Sequence, residues 1–125
     1  MKYVIIGHGK YPSGTKSTLK FLSGADDKVS VIEENVENND YRQKIDKLFS
    51  ENLSEPIMIL SDLPSGAASQ YAMKKLKDYD FKMITGFNIA LLLELILTDN
   101  QGENLESIVK EAQDQIVYVN DLFCE

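Results

Sequence analysis

Lys2-Tyr3-Val4-Ile5-Ile6-Gly7-His8-Gly9 carries the chain's one histidine at the end of its first apolar run. Tyr3 to Ile6 are β-branched or aromatic, too few for a helix and bounded by glycine, which is the pattern of a buried strand. Gly7 and Gly9 free the backbone on either side of His8 to turn, and let another group come close. Pro12 sits where a helix can begin, since proline is tolerated in the first helical turn. The imidazole therefore falls on a strand-to-helix loop at the carboxyl end of the first strand, the edge where open α/β sheets bind ligands. Two readings stand for His8: a loop histidine that packs or caps, or a neutral imidazole used as nucleophile, base or ligand.

Outward from this stretch, strands and helices alternate. Pro12 to Leu22 reads as a helix with Thr15, Thr18, Leu19 and Leu22 on one face, stopped by Ser23-Gly24. Lys28 to Ile32 reads as a second strand, running into Glu33-Glu34-Asn35 as a solvated acidic loop. Asn39 or Asp40 can cap a second helix whose apolar face is Tyr41, Ile45, Leu48 and Phe49. Ile57 to Leu60 is a third strand, followed by the loop Ser61 to Gly66 and a helix over Ala67 to Lys77 that buries Ala68, Tyr71, Ala72 and Leu76. Phe81 to Thr85 is a fourth strand, and Asn88 can cap a helix over Ile89 to Leu97.

That helix is apolar almost all round, so several of its sides are expected to be covered, one of them by another subunit. Asp99 to Gly102 breaks the chain before a helix over Glu103 to Asp114, with Leu105, Ile108, Val109 and Ala112 on one face. Ile116 to Val119 reads as a last short strand or as a continuation of that helix, the apolar run favouring a strand.

The pattern predicts a three-layer α/β fold: a mainly parallel sheet in the order 2-1-3-4, helices on both faces, and the tail as a candidate antiparallel strand. In that order the first and third strands are neighbours, and their carboxyl-end loops bring His8 towards Asp62.

A chain of 125 residues with 43% hydrophobic content is one ordinary domain, residues 1–125, with a single core. No apolar run approaches the ~20 residues that cross a bilayer. The first residues lack a signal-peptide pattern, so a cytoplasmic location without membrane insertion is expected. The single cysteine, Cys124, makes no internal disulfide and leaves zinc sites without ligands. A net charge of −7 argues against nucleic acid, which needs a basic stripe, and is compatible with a basic protein partner.

A carboxylate beside an imidazole accepts one ring N–H, fixes the tautomer and leaves the other nitrogen with a free lone pair. Asp62 has that opportunity, since it follows a buried strand and precedes a Pro-Ser-Gly turn. The alternative is that Asp62 only caps the next turn or helix. Gly66 can let backbone amides point inward at the start of the third helix, and helix N-termini there and at Pro12 attract phosphate. Ser13 and Ser65 could add hydroxyls, or serve as ordinary turn residues. Gly9 to Ser17 comes near a P-loop, but Thr15 holds the lysine position and Lys16 follows it, a rotation of roughly 100° on a helix. Pro12 also removes an amide from the cradle. Nucleotide binding is therefore a minor alternative.

Three blocks resemble the IIA domain of the mannose family of the bacterial sugar phosphotransferase system. His8-Gly9 with Ser13-Gly14 and Leu19 resembles the family's H-G-x-x-A-x-G-[LM] block. Ile59 to Leu63 through Gly66 is similar to its strand, aspartate and glycine-bearing loop. Thr85-Gly86-Phe87-Asn88-Ile89-Ala90-Leu91-Leu92 resembles its G-x-N-[LI]-P-M-L block. Departures stand at Ser13, at Thr15, at Ala67 where the family's loop has a serine, and at Ala90 where it has proline.

The resemblance implies that His8 accepts a phosphoryl group from the carrier HPr and passes it to a IIB component for sugar uptake. Asp62 would assist, with Gly9, Ser65 and Gly66 forming the phosphate loop and no metal or cofactor needed. It also implies a homodimer, often with the last strand exchanged between subunits. A regulatory phosphorylation sensor and a dihydroxyacetone-kinase relay are the alternatives from other classes.

Overall fold

The computed structural model describes residues 1–37, 39–51, 54–98 and 104–123. The predicted chain break at Asp99 to Gly102, the helix start at Glu103 and Cys124 lie outside the described residues. The chain divides into two compact units, Met1–Phe87 and Asn88–Glu125.

The first unit holds β1 (Lys2–His8), α1 (Tyr11–Ser23), β2 (Val29–Glu34), α2 (Tyr41–Glu51), β3 (Ile57–Ser61), α3 (Ala67–Lys74) and β4 (Lys82–Thr85). The sheet is parallel throughout in the order β2-β1-β3-β4, as the sequence predicts. Register follows the apolar pattern: Val4 lies opposite Ile59 and Ile6 opposite Ile32. Side chains alternate between faces along a strand. Val4, Ile6, Ile32, Ile57 and Ile59 meet Tyr41, Ile45, Leu48 and Phe49 of α2 and Ala68 and Ala72 of α3 in one core cluster. Tyr3, Ile5, Met58 and Leu60 therefore point to the opposite face. The right-handed β1-α1-β2 crossover, turning back towards β2, puts α1 on that face. Helices thus cover both faces. Burial of each large apolar side chain is worth roughly 1.5–3 kcal/mol, and Ile5, Met58, Ile59 and Leu60 are wholly buried.

Four details differ from the sequence reading. β1 and β2 run further, to His8 and Glu34, because pairing in parallel register continues past the apolar stretch. The α3 helix tightens into a 3-10 turn over Lys75–Lys77, so Leu76 is exposed instead of buried. On α1 only Pro12 and Leu19 are buried, while Leu22 is half exposed.

The fourth difference is the tail. The second unit contains α4 (Ile89–Leu97), α5 (Leu105–Gln113) and α6 (Val119–Phe123). Ile116 to Val119 forms no strand: 116–118 is irregular, and Val119 opens α6. A strand needs a sheet edge to take its N–H and C=O groups. The described segment pairs with none and instead closes turns locally, Ile116 N–H to the Gln113 carbonyl and Asp121 N–H to that of Tyr118. Asn88 does cap α4, accepting from Leu91 N–H at 2.9 Å, and its amide also donates to the Ala112 carbonyl of α5 at 2.7 Å.

Candidate active site

His8 is the last residue of β1 and Asp62 the first after β3, so the parallel β1–β3 pairing sets their loops side by side at the carboxyl edge. Asp62 Oδ2 accepts the His8 backbone N–H at 2.9 Å and lies 2.8 Å from the ring Nδ1. Its other oxygen accepts Leu63 N–H at 2.8 Å. The two sequence readings of Asp62 therefore coexist, since one oxygen caps the following turn and the other holds the imidazole.

Burial pushes the Asp62 carboxyl up, but its hydrogen bonds from the His8 amide, the His8 ring and the Leu63 amide outweigh this and hold it below the ordinary carboxylate value. The ring responds in the opposite sense. The Asp62 hydrogen bond raises the His8 pKa, desolvation opposes it, and the charges of Asp62 and Glu34 add to the rise. An ionised Asp62 can only accept, so Nδ1 carries the hydrogen and Nε2 is the nitrogen left for chemistry. The imidazole side chain is 48% exposed while that of Asp62 is 10% exposed, so the anchor is sheltered and the ring is reachable.

Two glycines make room for this pair. A Cβ on Gly7 would sit 2.9 Å from the Asp62 carboxyl group. On Gly66, the N-cap of α3, it would sit 2.6 Å from Cε1 of His8. The ring therefore rests against the bare backbone at the start of α3. Gly9 takes a left-handed φ of 57° and turns the chain towards α1, its N–H bonding the Glu34 carbonyl at 2.8 Å. Ser65 is exposed on the loop, and no hydrogen bond holds its hydroxyl among the described residues.

The acidic stretch after β2 departs from expectation. Glu33 and Glu34 are strand residues, not a solvated loop. Glu33 Oε2 accepts the Ser13 N–H at 2.9 Å in the first turn of α1, so that amide is already taken by a carboxylate and is not open to phosphate. The Ser13 hydroxyl is engaged locally, donating to the Lys10 carbonyl at 3.3 Å. Glu34 is the register partner of His8, and its Oε2 lies 3.6 Å from Nε2. The signal for this was the sheet order, which makes β1 and β2 neighbours, combined with strands that continue past their apolar cores. A cleft of about 520 Å³ opens beside this edge, lined by His8, Gly9, Glu34, Asn35, Val36 and Asn39.

Comparison with known proteins places the chain in a family. The family model for the mannose-type IIA component, described as "PTS system fructose IIA component", matches residues 2–113. The chain belongs to this IIA family. Among solved structures, the IIA chain resembles the PTS IIA protein associated with the fucose utilization operon of Streptococcus pneumoniae. That match has 27% identity and a TM-score of 0.85, over 98% of this chain and 95% of that one. The mannose/sorbose-specific IIA subunit from Enterococcus faecalis is 19% identical with a TM-score of 0.81, over 93% and 92% of the two chains, a likeness of fold. The same fold likeness extends to a sigma-54 interaction domain protein from Enterococcus faecalis, 16% identical with a TM-score of 0.69 over 100% and 97%. A search of curated proteins gave no significant match. Among the described residues, no helix is long and apolar enough to cross a membrane.

Proposed function

We propose that this IIA chain is a cytoplasmic phospho-carrier of a sugar uptake system, with His8 as the acceptor. The observation that carries the reading is the 2.8 Å contact between His8 Nδ1 and a sheltered Asp62, which leaves Nε2 of a half-exposed ring outside that bond. Phosphoryl transfer asks for an aligned nucleophile and stabilised phosphoryl oxygens more than for covalent machinery. In the accepting step the Nε2 lone pair forms the new N–P bond. The N–P bond of phosphorylated HPr breaks, and the HPr imidazole leaves with the electron pair. Positive charge growing on the His8 ring is met by the Asp62 carboxylate. The step then reverses towards a histidine of a IIB component. In this scheme amides at the α3 N-terminus, beside Gly66, meet the phosphoryl oxygens, since a helix N-terminus attracts phosphate. Gly9 supplies the turn, and Ser65 is a candidate hydroxyl on the same loop. No cofactor enters this scheme.

The family match covers residues 2–113 and so reaches into both compact units, which supports reading them as parts of one IIA domain. A homodimer is part of the proposal. Ile116, Tyr118, Leu122 and Phe123 expose 66–80% of their surface, more apolar area in one short tail than a lone domain usually leaves in water. Incubation with labelled phosphoenolpyruvate, enzyme I and HPr tests the acceptor. Acid-labile label is expected on the native chain and absent from His8→Ala. Label retained by the alanine variant would reject His8.

A further inference from the structure

The second carboxylate at the ring has no role in the scheme above. Glu34 ends β2 directly opposite His8, and the Gly9 N–H to Glu34 carbonyl bond locks the two strand ends together. Its Oε2 is buried, has no hydrogen-bond partner among the described residues, and lies 3.6 Å from Nε2. The neighbouring Glu33 is committed to the Ser13 amide and so is not interchangeable with it. The charged groups acting on the ring are thus Asp62 from the end of β3 and Glu34 from the end of β2, while α3 meets it with the uncharged Gly66.

We propose that Glu34 is a positioning residue for phosphoryl release: it favours a proton on Nε2 of His8 and disfavours a phosphoryl group there, so that His8 holds phosphorus loosely. The inference rests on His8 being the acceptor. A lone pair on Nε2 and an anionic oxygen at 3.6 Å repel each other, and a proton between them removes the repulsion. A phosphoryl dianion on the same nitrogen adds to it. Before phosphorylation the Nε2 proton leaves to solvent. The Nε2–P bond then forms as the donor N–P bond breaks, and the resulting phosphoryl group faces an anion that opposes it. Donation to the next carrier breaks the Nε2–P bond, returns the electron pair to Nε2 and relieves that opposition. Asp62 and Glu34 therefore divide the ring: one fixes the tautomer through Nδ1, the other sets the affinity of Nε2 for phosphorus.

Because the chain has a single histidine, its ring titration can be followed by NMR without assignment ambiguity. Glu34→Gln keeps size and removes the charge, and Glu33→Gln makes the same charge change on the side committed to α1. Glu34→Gln should lower the His8 midpoint clearly while Glu33→Gln leaves it nearly in place, with native amide spectra for both. At equilibrium with phosphorylated HPr, Glu34→Gln should raise the phosphorylated-to-free ratio several-fold. A titration indifferent to Glu34→Gln, or an unchanged or lower ratio, overturns the inference alone. Failure of the native chain to take label at His8 overturns the acceptor reading and this inference together.

Discussion

At His8 the deciding quantity is which nitrogen holds a proton. The Asp62 hydrogen bond, helped by the charges of Asp62 and Glu34, raises the ring pKa above 6.5, so the imidazolium persists further into neutral pH. Only the form with a free Nε2 lone pair can accept a phosphoryl group. The accepting rate should therefore rise with pH through a midpoint above 6.5, measured by rapid-quench labelling; a flat profile would contradict it. Asp62→Ala should lower that midpoint and slow transfer by about a hundredfold without unfolding the chain. Unchanged rates would remove Asp62 from the mechanism. The pair also shapes stability. With a raised pKa, His8 contributes fully below its unfolded value of 6.5 and loses that contribution as pH rises through the folded midpoint. With a lowered pKa, Asp62 contributes above its unfolded 3.8 and loses that as pH falls through its folded midpoint. Asp62→Ala should then cost most in urea unfolding between these values, and an equal cost at every pH would tell against the linkage. Gly66→Ala would push the ring from its seat, and the misplacement should cost transfer about a hundredfold.

The elements were legible where periodicity and caps agreed. The apolar face of α2 and the Asn88 cap can be read from spacing alone, because each is a local pattern with a local cause, while the 2-1-3-4 order follows from alternating strands and helices joined by short right-handed crossovers. Asn88→Ala should cost about 1 kcal/mol, since it removes the α4 cap and the bond to α5 together. Leu60→Ala, in a fully buried strand, should cost about 2–5 kcal/mol; both are read from denaturant midpoints. What escaped the sequence depends on partners. Glu33 and Glu34 look like a solvated loop until register places one on α1 and the other on His8. The Ile116 to Val119 run looks like a strand because its residues favour strands, yet it pairs with no described strand and its hydrogen bonds close local turns instead. Asp62 was ambiguous because a capping aspartate and a ring-steering one have the same sequence context, and only geometry shows one residue doing both.

For the whole molecule, the acidic net charge of −7 and the apolar tail make different demands on partners. The charge suits encounter with a basic partner surface, and a second-order rate with HPr that falls as salt is added is the expected sign of one. The tail suits a second copy of the chain. Sedimentation should show a dimer, and Phe123→Asp should weaken it by about tenfold or more. A monomer at all concentrations would end that part of the proposal. The central claim is narrower: phosphorus is carried on Nε2 because Asp62 occupies Nδ1. The most direct measurement is heteronuclear NMR of the ring-nitrogen-labelled, phosphorylated chain. The account predicts one nitrogen–phosphorus coupling, at Nε2 of His8, with Nδ1 still bearing hydrogen. Coupling at Nδ1, or phosphorus on any other residue, would contradict it.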